Sequence, residues 1–207
     1  MTVSGELVRD ERITFVSGGL KVAGIVSVPA DMKPGEKRPA FIALHGFGSS
    51  KAAENVRLPC EMMNRFGYVT LRIDFRGCGE SEGERGLLIM DEHVQNAKDA
   101  LTFLAGHPAV AADRIGVVAS SLGAAVGIAA AGTDARFAAV ISSGGWGNGE
   151  LKFRRQHPGE EAWARFSGML EAGRGHRERT GKPYLVPRFD IVPIPASAGR
   201  KPSPDAL

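Results

Sequence analysis

Ala119-Ser120-Ser121-Leu122-Gly123 lies between an apolar run, Arg114-Ile115-Gly116-Val117-Val118, and a chain of small residues, Ala124-Ala125-Val126-Gly127-Ile128-Ala129-Ala130-Ala131. The first run reads as a buried parallel strand and the second as a helix. A serine on a sharp strand-to-helix turn, with tiny residues two before and two after it, has the form of a nucleophile elbow. Such a turn forces the serine backbone into strained dihedrals, and larger flanking residues would collide with the adjoining strand and helix. The spacing selects Ser121 as nucleophile and leaves Ser120 as the variable residue between. Ala119 stands where the pattern usually has its first glycine, a sterically acceptable departure.

Two further motifs lie upstream. Phe41-Ile42-Ala43-Leu44 is an apolar run ending in His45-Gly46-Phe47-Gly48, followed by Ser49-Ser50 and a helical pattern. A glycine-rich loop at a strand's end can aim a backbone N–H at an incoming carbonyl oxygen. An oxyanion hole needs one such donor from the residue after the nucleophile and another from an upstream loop, here the amides of Leu122 and Phe47. Between the two lies Leu71-Arg72-Ile73-Asp74-Phe75-Arg76-Gly77-Cys78-Gly79-Glu80-Ser81, a strand running into a tight polar turn.

The His-Gly loop, the Asp-x-Arg-Gly-x-Gly-x-Ser turn and the elbow, in this order, resemble the α/β-hydrolase superfamily over roughly residues 20 to 146. Within it the chain is most similar to bacterial enzymes related to serine aminopeptidases, dienelactone hydrolases and dipeptidyl-peptidase-like esterases. The resemblance implies an α/β fold with a mostly parallel, doubly wound sheet and a helical cap. It also implies serine hydrolysis of an ester or amide through an acyl-enzyme, with no cofactor and no metal.

Composition sets the remaining bounds. A chain of 207 residues with 43% apolar content suits one domain with a sizeable core. No apolar stretch approaches membrane-spanning length, and Met1 to Arg12 lacks a signal-peptide apolar segment. Cys60 and Cys78 fit no metal spacing and make no disulfide framework, so reduced thiols and a cytoplasmic location are expected. The net charge of +3 does not indicate a nucleic-acid binder, and no membrane partner is expected. After Glu150 there are 11 Lys/Arg against 6 Asp/Glu, a basic segment read as a solvated surface.

Alternating strand and helix patterns along residues 1–147 predict a parallel sheet covered on both faces. They comprise a hairpin over Glu11–Phe15 and Leu20–Pro29, strands at 41–44, 69–73 and 137–141, and helices at 52–66 and 91–105. Residues 148–190 read as a cap-like helical segment with Trp163, Phe166 and Leu170 at helical spacing, and residues 191–207 as a disordered tail. The family's last strands, whose loops supply the catalytic acid and histidine in the order Ser, Asp/Glu, His, are missing from this reading. The strand at 137–141 should then end the sheet as an unprotected edge, open to self-association.

A serine hydroxyl needs a base, usually a histidine held by a carboxylate. His45 belongs to the oxyanion loop, His93 and His107 are read as surface residues, and His157 and His176 lie in the cap-like region. Asp190 is the only carboxylate beyond the elbow in a partly apolar, strand-like setting, and Asp74 with Arg76 reads as an ion pair holding its turn. No acid and base are identified. The chain therefore reads as the N-terminal two-thirds of a hydrolase, truncated or shifted in frame near Pro195, acting weakly or not at all on a small-molecule ester or peptide. Two alternatives stay open: a non-catalytic binding protein on the same scaffold, or half of a complemented enzyme.

Overall fold

The computed structural model describes residues 7–193. The chain divides between Gly145 and Trp146 into two compact units.

Among the described residues the first unit is a six-stranded sheet with three helices. β1 (Val8–Ser17) and β2 (Leu20–Pro29) form a hairpin whose two-residue turn, Gly18-Gly19, has φ of 57° and 80°. Only glycine takes two successive positive φ values cheaply, which is the demand of this tight hairpin turn. There follow β3 (Arg38–Leu44), α1 (Glu54–Arg65), β4 (Val69–Ile73), α2 (Met90–Ala105), β5 (Val110–Ser120), α3 (Leu122–Thr133) and β6 (Phe137–Ser143). The order across the sheet is β1-β2-β4-β3-β5-β6. β4, β3, β5 and β6 run parallel, and the hairpin joins antiparallel through β2. This is the mostly parallel, α/β-hydrolase-type fold the sequence implies.

Strand alternation assigns the faces. On β3, Phe41 and Ala43 pack with Val56, Cys60 and Met63 of α1, while Ala40, Ile42 and Leu44 join the larger core under α2 and α3. α2 contributes Ala97, Ala100, Leu101 and Leu104 to that core, with Val94 at its margin. His93, expected at the surface, is 1% exposed and lies flat on Phe75, ring centroids 4.4 Å apart. The buried face of α2 also takes in His93 and Asn96, so it is wider than the apolar residues alone suggest. His107 is also not a surface residue: its side chain is 10% exposed and its Nε2 is 3.2 Å from Glu11.

β3 is the switch point of the sheet. The chain leaves β3 for α1 and β4 on one side, while β5 lies on the other and leads into α3 on the opposite face. The loops after β3 and β5 both lie at the carboxyl ends of these strands, the position where open α/β sheets place their ligands.

The second unit holds α4 (Gly149–Gln156), α5 (Glu160–Thr180) and the single turn α6 (Arg188–Ile191). Asn148 caps α4 by accepting the Leu151 N–H at 2.9 Å, and Gly181 ends α5 at φ 69°. Phe166 is buried against Phe153, His157 and Trp163, whereas Leu170 is exposed, so the expected stripe packs only at its first two positions. Asp190 lies in α6, not in a strand-like setting: Pro187 starts a helical turn there. The disordered tail expected over 191–207 falls mostly on residues 194–207, outside the described residues; Ile191 closes α6.

Candidate active site

Ser121 is the only non-glycine among the described residues with positive φ, at φ 54° and ψ −121°. For a residue with a β-carbon this conformation costs on the order of 1–3 kcal/mol, and it persists only where the surroundings enforce it. Three contacts do so. The Ser121 N–H donates to the Ser143 carbonyl of β6 at 2.9 Å, its carbonyl accepts from Ala125 N–H at 3.2 Å in the first turn of α3, and Gly123 lets that helix approach β3. A β-carbon on Gly123 would lie 2.5 Å from the Leu44 carbonyl oxygen and 2.6 Å from that of His45. The small residue at this position is therefore imposed by the backbone of β3. Ser121 itself is exposed, and its hydroxyl does not cap α3.

The β3–α1 loop faces this serine. A β-carbon on Gly46 would come within 3.5 Å of Ser121 Cβ and 4.0 Å of its Oγ. Phe47 and Gly48 form the tight turn that follows, with Gly48 at φ 59°. Leu122 is the first residue of α3, where backbone N–H groups have no intrahelical acceptor and the helix dipole favours negative charge. The fold thus brings Ser121 and Leu122 beside the loop that carries Phe47. Sequence reasoning missed Asn55, whose Nδ2 donates to Ser120 Oγ at 3.1 Å and links α1 to the elbow.

His45 is fixed behind the loop. Its Nε2 accepts the Phe75 N–H at 3.1 Å and its Nδ1 donates to the Gly46 carbonyl at 2.8 Å, which defines a neutral ring with the proton on Nδ1. Burial pushes its pKa below the usual histidine value. Both nitrogens are engaged, so His45 shapes the loop rather than serving Ser121. Burial likewise lowers His93 to about 4, with the neighbouring His45 adding to the shift. No histidine of this unit is seen paired with Ser121: His45 holds the loop, His107 meets Glu11, and His93 is buried against Phe75 with both ring nitrogens without a hydrogen-bond partner among the described residues.

Asp74 does not pair with Arg76. Its carboxylate is fully buried and meets Lys51, while Arg76 reaches Glu92 at 3.3 Å. Gly79, at φ 51°, turns the chain against that carboxylate, while Gly77, at φ 73°, lies against the Glu84 carbonyl.

In the second unit, His157 and Asp190 line one cavity of about 550 Å³ with Phe166, Met169, Tyr184 and Phe189. His157 Nε2 donates to the Ile191 carbonyl at 3.1 Å and the ring stacks on Phe166 at 4.3 Å, both packing roles. His176 lies against Tyr184 at 5.5 Å.

Comparison with known proteins places this architecture. The family described as "Serine aminopeptidase, S33" matches residues 35–183. A 31.7 kDa protein of Escherichia coli, encoded in the traX-finO intergenic region, is 30% identical over 153 residues, 72% of this chain and 52% of that protein. The Pseudomonas aeruginosa protein PA2218 superposes with a TM-score of 0.76 at 24% identity, covering 88% of this chain and 58% of that one. The α/β hydrolase GrgF of Penicillium sp. superposes with a TM-score of 0.67 at 24% identity, covering 89% and 61%. The chain thus spans about half the length of the curated relative it matches.

Proposed function

This chain belongs to the serine aminopeptidase family of the α/β-hydrolase superfamily, and from that premise we propose that it is a serine hydrolase acting on a carboxylic ester or amide. The observation that carries this reading is the strained, exposed Ser121 at the sheet's switch point, with Gly46 against its hydroxyl. Ser121 Oγ attacks the carbonyl of a small-molecule ester or peptide. The amides of Leu122 and Phe47 take the developing oxyanion, and an acyl-enzyme forms. Cys60 and Cys78 are no rival nucleophiles, because burial pushes both thiols up to about 11. Buried, unpaired thiols also suit a reducing, cytoplasmic setting.

One observation favours a second reading, in which another polypeptide completes the site. None of the three histidines of the sheet unit is paired with Ser121, which leaves its usual base to be supplied from outside that unit. Without its base a serine triad loses on the order of 10⁶ in kcat, leaving roughly 10³–10⁴ over water.

Hydrolysis of p-nitrophenyl acetate by the purified chain tests the assignment. Slow turnover, far below the roughly 10 s⁻¹ of an ordinary enzyme, that disappears in Ser121→Ala is expected. Turnover unchanged by Ser121→Ala would overturn it.

A further inference from the structure

We propose that Lys51 is a positioning residue for the oxyanion loop: clamped between Asp74 and Glu80, it holds the Phe47 amide toward Ser121. The proposal rests on the hydrolase reading above. Lys51 is only 5% exposed, rare for a lysine, whose ammonium is normally kept in water. Its Nζ lies 2.5 Å from Asp74 Oδ2 and 2.6 Å from Glu80 Oε2. Its backbone N–H also donates to Asp74 Oδ1 at 2.6 Å. The Glu80 N–H donates to Asp74 Oδ2 at 2.8 Å, and a β-carbon on Gly79 would collide with that carboxylate at 2.1 Å, so the turn closes tightly around it. The ammonium holds the Glu80 carboxyl below the usual range.

The position of this cluster gives it a role. The loop after β3 is tied at its start by His45 Nε2 to the Phe75 N–H, and at its end by Lys51 to Asp74. Both anchors are consecutive residues at the end of β4. The span between them, residues 46–50, carries Gly46 beside Ser121 and Phe47 with its amide. With so short a span, loosening one anchor displaces the donor itself, and losing the ammonium leaves only the main-chain bond to Asp74 at this end. Misplacement of about 1 Å at a reacting centre costs on the order of 10²-fold in rate. The buried charge would also be costly to leave alone, since removing one partner strands the other.

Fluorophosphonate labelling of Ser121, resolved into the rate at saturation and the half-saturating concentration, tests the clamp. Lys51→Met should lower the saturating rate by about 10–100-fold, the scale of losing an oxyanion donor, with half-saturation little changed. Hydrogen exchange should quicken over residues 46–50 and not across the sheet. Because Lys51→Met strands Asp74, the pair Lys51→Met/Asp74→Asn removes the orphaned charge as well, and should fold with the same loss of rate. Saturating rates within twofold of the parent in either folded variant would overturn the clamp while leaving the hydrolase reading intact, provided Ser121→Ala abolishes labelling. Labelling that survives Ser121→Ala would overturn both.

Discussion

Gly46 packs against Ser121 so closely that a β-carbon on the glycine would stand 3.5 Å from Cβ of the serine and 4.0 Å from its hydroxyl oxygen. The loop after β3 therefore packs directly beside the elbow. These distances are ordinary contact for one methyl group but leave no room for a branched side chain reaching over the hydroxyl.

Gly46→Ala should consequently keep near-parental reactivity at Ser121, while Gly46→Val should lower it by at least about tenfold, as misplacement at a reacting centre does. Melting temperatures of both should stay close to the parent. Labelling rates measured beside thermal melts check the separation.

Gly123→Ala should instead cost stability. Its β-carbon would meet two main-chain carbonyls at 2.5 and 2.6 Å, and backbone cannot swing aside as a side chain can. Overpacking of this kind costs about 1–3 kcal/mol. Urea unfolding should show a lower midpoint at unchanged slope.

Much of this arrangement was legible in the sequence because it depends on local pattern. β2 and β4 begin and end where their apolar runs do, and the elbow lies where small residues bracket Ser121. α5 runs on past Leu170 to Thr180, because neither Gly173 nor Gly175 breaks it. What stayed hidden depends on partners distant in the chain. Nothing near Lys51 signals that it will be buried, since its carboxylates lie 23 and 29 residues away. Asp74 and Arg76 read as a pair because they are close in the chain, but both lie in the turn after β4, which sends Asp74 inward to Lys51 and Arg76 to Glu92. His93 was placed at the surface because its burial comes from stacking on Phe75, a residue of the β4 turn.

The burial of His93 makes the fold sensitive to acid. His93 titrates near 4 in the folded chain against an ordinary 6.5, so the unfolded chain takes up the proton first. Stability is full above about pH 6.5, falls as the pH drops toward 4, and the loss from this group is on the order of 3 kcal/mol. His45, lowered in the same direction by burial, adds to the fall. His93→Phe preserves the stack and should flatten the pH dependence of the denaturation midpoint between pH 6.5 and 4. An unchanged slope would show that His93 is not responsible.

Among the described residues the sheet ends at β1 and β6, and these two edges differ in a way that bears on association. β1 carries Arg9, Asp10, Glu11 and Arg12 in succession, the sort of charge that discourages edge pairing. β6 has no charged residue, and Val140 and Ile141 are 40% and 44% exposed. We propose that the chain self-associates through β6, and that Val140→Lys weakens this. Light scattering behind size-exclusion chromatography should show mass rising with concentration for the parent and less so for the variant. A parent that stays monomeric throughout would rule the edge out.

The most direct test of the central claim is peptide mapping after treatment with a fluorophosphonate probe. The strained elbow at the switch point predicts a single adduct on Ser121, absent in Ser121→Ala and retained in Ser120→Ala. An adduct that persists in Ser121→Ala, or that maps to Ser120, would contradict the assignment of Ser121 as the nucleophile.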